Sequence, residues 1–151
     1  MKRSILALLL GLALCAPVAS QQVTNGSVTV NPYPQNAIPI TGNSGNVANS
    51  LAFASIPAVA GKTSYICGFH FSSSGSTAAA IVLGGIGNIV GGGGTFVVTS
   101  VAGATLKNPD TIVTYTPCIP ANAPNTAVTA SVPALGAGNT NASIYCWGYQ
   151  L

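Results

Sequence analysis

Acid–base chemistry in this chain would have to run through His70 and Asp110, its one histidine and its one carboxylate side chain. With any of many serines they make a Ser–His–Asp set on paper, in which the imidazole takes the hydroxyl proton and the carboxylate orients it. No nucleophile-elbow sequence accompanies them, and with one residue of each kind a chance listing is the better account. Cys67 and His70 stand three apart on a predicted strand, which turns them to opposite faces and argues against a Cys–His pair. Asp110 suits the Asn108-Pro109-Asp110 turn. The glycine run at 91–94 lacks the following Lys-Ser/Thr and the helix of a phosphate loop, so it reads as a hairpin tip. The chain is therefore expected to be no enzyme, with no catalytic residue and no cofactor.

Two other groups could do something other than catalysis. Tyr145, Trp147 and Tyr149 alternate along the last apolar run and share one face. Such a row can stack on sugar rings, but it more often serves as core or interface. Of the four cysteines, Cys15 lies in an N-terminal leader, leaving Cys67, Cys118 and Cys146. Three cysteines allow one internal bridge and one thiol, and spacing leaves all three pairings open. The thiol left over is either buried as a small hydrophobe, the favoured reading, or bridges subunits. No pair has zinc-ribbon or Cys-x-x-Cys spacing, so no metal is expected.

The elements that would carry these residues are short and extended. From residue 61 onward, apolar runs rich in Val, Ile, Thr and aromatics recur at regular intervals, covering 63–72, 78–86, 95–101, 110–119, 126–135 and 143–151. Turn chemistry separates them at 72–76, 91–94, 108–110, 120–125 and 135–141. In the first run, strict alternation puts Tyr65, Cys67, Phe69 and Phe71 on one face. Residues 78–86 are continuously apolar and read as a buried strand. No mature segment has a 3.6-residue period. The pattern predicts an all-β fold, a two-layer antiparallel β-sandwich with jelly-roll-like connections, over 61–151.

Ahead of that domain, residues 21–60 read as an extended N-terminal arm. Val23, Val28 and Val30 alternate weakly, prolines at 32, 34, 39 and 57 exclude a helix or a central strand, and 41–50 read as a loop. Residues 51–56 are a short strand. The arm is either a linker or a strand added to a sheet edge, its own or a neighbour's. Residues 1–20 have the form of a secretory signal peptide. Lys2 and Arg3 precede an apolar run over 5–14, too short to span a bilayer, and Val18-Ala19-Ser20 precedes a cut at Gln21. The expected location is secreted, periplasmic or at the cell surface, with no membrane attachment after cleavage.

The mature chain then carries Lys62 and Lys107 against Asp110, one positive charge in excess. Phosphate backbones and anionic lipids need clustered Lys and Arg, so no nucleic acid and no membrane surface is expected as partner. Near-neutrality also removes the repulsion that keeps proteins apart, which makes self-association easy.

Several stretches carry a resemblance. The arm segment 22–34 (QVTNGSVTVNPYP), the stretch 61–69 (GKTSYICGF), the Pro117-Cys118-Ile119-Pro120-Ala121 segment with 125–128 (NTAV), and the ending Trp147-Gly148-Tyr149-Gln150-Leu151 together resemble a group of small proteins encoded in bacteriophage and prophage genomes. The glycine tract at 91–94 departs from their pattern. The resemblance implies a Cys67–Cys118 bridge with Cys146 as the odd cysteine. It also implies a virion-associated β-sandwich of the decoration, fibre or adhesin kind. The function expected is a non-enzymatic, exported structural subunit that self-associates or joins a virion or extracellular assembly. The alternative is a secreted glycan- or surface-binding module using the aromatic face of Tyr145, Trp147 and Tyr149.

Overall fold

The fold is known from a computed structural model that describes residues 33–77, 80–103 and 105–151. The segment expected to be a signal peptide, 1–20, and residues 21–32 of the expected arm lie outside these residues. Eight strands form: β1 (Ile38–Asn43), β2 (Ala52–Ile56), β3 (Ser64–Ser74), β4 (Ala80–Gly87), β5 (Gly94–Ser100), β6 (Thr111–Pro120), β7 (Val128–Val132) and β8 (Asn141–Gln150). Each β-branched or aromatic run found in the sequence becomes a strand, because alternating side chains fill a pleated, half-buried surface well.

The strands make two antiparallel four-stranded sheets, β1-β8-β3-β6 and β2-β7-β4-β5. They pack face to face as a two-layer β-sandwich, and the pairing is nested. First meets last, second meets seventh, third meets sixth, and fourth meets fifth. Alternate pairs fall in opposite sheets, which is the order produced when one long hairpin rolls up into a jelly roll. The segment read as an arm is part of this roll from Ile38 onward. β1 and β2 are edge strands, one on each sheet, and each pairs within the same chain. Pro39 is tolerated because β1 is an edge. The loop expected over 41–50 begins only after Asn43. The compact unit accordingly starts at Tyr33, ahead of the boundary expected at residue 61.

The inner faces fill the space between sheets. Ile66, Phe69, Phe71, Ala142, Ile144 and Cys146 come from one sheet, and Ala52, Ala54, Ile56, Ile86, Val98, Val128, Ala130 and Val132 from the other. Phe69 meets Phe96 across the core with ring centroids 4.4 Å apart. A fully buried side chain of this size contributes about 1.5–3 kcal/mol.

Two expectations about faces are corrected. Strict alternation placed Tyr65 with Phe69 and Phe71, but the register shifts between Ile66 and Gly68. A β-bulge at Cys67 absorbs one residue, so Ile66 joins Phe69 and Phe71 inside while Tyr65 shares the outer face with Gly68 and His70. The run 78–86 is not buried throughout. Ile81 and Leu83 are 73% and 60% exposed, because only one face of β4 meets the other sheet.

Cys67 at the bulge is bonded to Cys118 on β6, and Cys146 is a buried free thiol. In the loop-entropy picture, closing a 51-residue separation stabilises by about 4 kcal/mol. Buried amides tie the connections down. Asn108 accepts from Val101 N–H (2.8 Å) and donates to Ser73 Oγ (2.9 Å). Asn139 donates to the carbonyls of Ser74 and Asn141, and Gln150 donates to the carbonyl of Pro57 and to Ser64 Oγ.

Candidate functional site

His70, Asp110, Tyr145, Trp147 and Tyr149 lie on or beside the outer face of the β1-β8-β3-β6 sheet. The strand register arranges that face in rows. Pro39, Tyr149, Tyr65 and Pro120 form the first. Thr41, Trp147, Gly68 and Thr114 follow, then Asn43, Tyr145, His70 and Ile112. Beyond them Ser143 faces Ser72, and Asn141 faces Ser74. Successive rows stand about 6.8 Å apart, so the strip from Trp147 to Asn141 is about 20 Å long.

The aromatic row is not uniform. Tyr149 is the covered end: Tyr65 stacks on it at 4.6 Å, Tyr33 meets it at 5.4 Å, and only 7% of it is exposed. Burial, with the Tyr65 phenol beside it, pushes its hydroxyl pKa upward. Trp147 is half-buried and Tyr145 is exposed. Their ring centroids lie 6.0 Å apart with the planes inclined by 25°.

His70 and Asp110 do come together. His70 Nε2 lies 3.6 Å from Asp110 Oδ2, shielded from solvent and with no hydrogen-bond partner. Asp110 accepts a hydrogen bond from Lys107 Nζ at 2.9 Å. That bond is the chief reason its carboxyl titrates below the ordinary value; desolvation opposes it, and the charges of Lys107 and His70 add to it. Among the described residues no serine hydroxyl is hydrogen-bonded to His70. Cys67 is held in the disulfide, so no Cys–His pair forms. The Asn108-Pro109-Asp110 segment does more than turn, since Asn108 is the buried staple. Gly91 and Gly92 take positive φ at the β4–β5 tip, as a tight connection requires.

A cleft of about 340 Å³ opens at the polar end of the strip, lined by Asn46, Ser72, Ser73, Ser74, Lys107, Asn141 and Ser143. Asn141 is fixed there by donating to Ser74 Oγ at 2.9 Å and accepting from Asn46 at 2.7 Å. Sequence reasoning missed this cleft and the place of Gly68 opposite Trp147. Alternation along β8 signals Ser143 and Asn141 as facing the same way as Tyr145, but only the register brings Ser72 and Ser74 opposite them.

The other sheet's outer face is different in kind. Leu83 and Val97 are cross-strand partners, Ile81 faces Thr99, and Phe53 faces Ser131. Ile81, Leu83, Val97 and Phe53 are all about half exposed or more. Among the described residues no helix is long and apolar enough to cross a membrane. No protein-family model, curated protein or solved structure matches the chain.

Proposed function

We propose that this chain is a non-enzymatic structural subunit, exported and phage- or prophage-derived, that assembles through uncharged β-surfaces as a decoration or fibre-like component. The observation that carries this reading is the outer face of β4 and β5, where Ile81, Leu83 and Val97 stand 73%, 60% and 56% exposed in adjoining positions. Monomeric soluble proteins seldom leave apolar side chains contiguous in this way, and larger patches mark interfaces. The occupant is another copy of this chain. The patch contains no ion, so two copies can meet on it without desolvating a charge, and the near-neutral chain supplies little repulsion against the approach. Jelly rolls occur in viral capsid domains, which agrees with this reading at the level of fold analogy. The Cys67–Cys118 disulfide is compatible with an extracellular or periplasmic protein.

Light scattering of the oxidised protein over a concentration series tests the proposal. Self-association is expected for the natural sequence, and a Leu83→Lys/Val97→Lys double variant should be monomeric with the fold retained. A natural protein that stays monomeric at about 100 μM, where even weak micromolar contacts are populated, would sink the reading.

A further inference from the structure

Aromatic side chains usually stand nearly perpendicular to their sheet. Trp147 does not. Its cross-strand partner on β3 is Gly68, and a Cβ at Gly68 would run into the six-membered ring of the indole. The indole therefore leans across the sheet, its six-membered ring over the bare backbone of Gly68. Tyr145 comes next on the same face, exposed and inclined to the indole by only 25°. The two rings are neighbours on this face, 6.0 Å apart, and together make an aromatic platform. Past Tyr145 the strip turns polar, with Ser143 opposite Ser72 and Asn141 opposite Ser74 at the mouth of the cleft. The charges at its margin are matched, since Lys107 is held by Asp110 at 2.9 Å.

We infer that this strip binds a neutral oligosaccharide lying along β8, with one pyranose ring on the Trp147–Tyr145 platform and the hydroxyls of the adjoining sugars in the serine–asparagine cleft. A pyranose has an apolar face of C–H groups carrying slight positive charge, which meets the negative face of an aromatic ring. Its rim of hydroxyls needs donors and acceptors together, and Ser hydroxyls and Asn amides offer both. An acidic polymer would need unmatched Lys or Arg, which the strip lacks. The length of about 20 Å suits a short chain of sugars better than a single one. This site is on the sheet opposite the apolar β4–β5 face, so it stands or falls independently of self-association.

Trp147 is the one tryptophan of the chain, so its emission reads the platform directly. The full disulfide-bonded chain would be titrated with soluble β-glucan, mannan, galactan and N-acetylglucosamine oligomers, with alginate and heparin as acidic contrasts. A saturable blue shift with at least one neutral glycan is expected. Tyr145→Ala should weaken that binding about tenfold, the scale of one aromatic contact. Ser143→Arg should weaken it as well, and Thr95→Lys, exposed on the other sheet, should leave it unchanged. Three results would overturn the inference: no saturable change with any neutral glycan up to about 10 mM, weaker than which no specific site is credible; binding confined to the acidic polymers; or binding undiminished in Tyr145→Ala with its near-UV spectrum intact.

Discussion

Replacing Gly68 by alanine tests the arrangement of the aromatic face with a single methyl group. The new Cβ would fall on the Trp147 ring and on the carbonyl oxygen of Val113. The ring could lift, but the carbonyl belongs to the backbone of β6. That strand is held to β3 through the Gly68–Thr114 and Phe69–Val113 pairs and by the neighbouring disulfide. Gly68 is not among the glycines with positive φ, so the cost is steric and owes nothing to backbone conformation. Overpacking of this kind costs about 1–3 kcal/mol, and the rigid second obstacle places Gly68→Ala in the upper half of that range. Gly85→Ala is the matched control. It too lies in a strand, but the nearest atoms to its new Cβ are 3.9 Å away. It should be neutral or gain up to about 1 kcal/mol from reduced backbone freedom in the unfolded chain. Urea unfolding followed by both far-UV circular dichroism and tryptophan emission measures the two effects. A Gly68→Ala protein as stable as the natural one, with unshifted emission, would refute the seat of the indole over Gly68 and the platform built on it.

Two further outcomes follow from other parts of the fold. Asn108→Ala should cost about 1–3 kcal/mol in the same unfolding assay, because it strands the Val101 N–H and the buried Ser73 hydroxyl; a loss below about 0.5 kcal/mol would mean that water replaces the amide. The pH profile should be flat from neutrality down to the ordinary carboxyl value of 3.8 and fall on the alkaline side. Asp110 titrates below its ordinary 3.8, so its contribution is present above that value and fades as pH falls through the folded one. One carboxylate limits the slope to about 1.4 kcal/mol per pH unit. Burial raises Cys146, Tyr115 and Tyr149 above their ordinary 9.0, 10.0 and 10.0, so their contributions are complete below those values and are lost as pH rises through the folded ones. Thermal midpoints from pH 3 to 11 measure this, and a steep loss of stability between pH 6 and 4 would contradict it.

How much of this was legible depends on which interaction fixes each feature. The strands from β2 through β8 are visible because their apolar residues recur at period two or in short β-branched runs between turns. β1 is hidden because Pro39 and Gly42 spoil its local signal; what makes it a strand is its pairing with β8, about a hundred residues away in the chain. The bulge at Cys67 is likewise invisible, since period-two arithmetic assumes an unbroken ladder and one absorbed residue reverses every face beyond it. Ile81 and Leu83 look like core by composition, and only the layer order tells which of their neighbours lacks a covering sheet. At the candidate site, the row Tyr145, Trp147 and Tyr149 is legible from alternation along one strand. Its floor at Gly68, its cover at Tyr33 and its polar continuation at Ser72 and Ser74 are matters of register between strands.

The nested pairing also sets when the protein can fold during its own synthesis. β1 leaves the ribosome early but has no partner until β8 is made, almost a hundred residues later. At about 5–20 residues per second the wait is roughly 5–20 s. β8 is an inner strand, lying between β1 and β3, so its sheet cannot close around a gap and settle early. The nascent chain thus stays open until nearly all of it has been translated. For the exported chain proposed above, which would thread through a translocation pore before folding, this delay is an advantage that strand order supplies without help from slow chemistry. The same delay leaves the apolar strands of the other sheet uncovered in the interval, which is when misassembly between neighbouring nascent chains would begin.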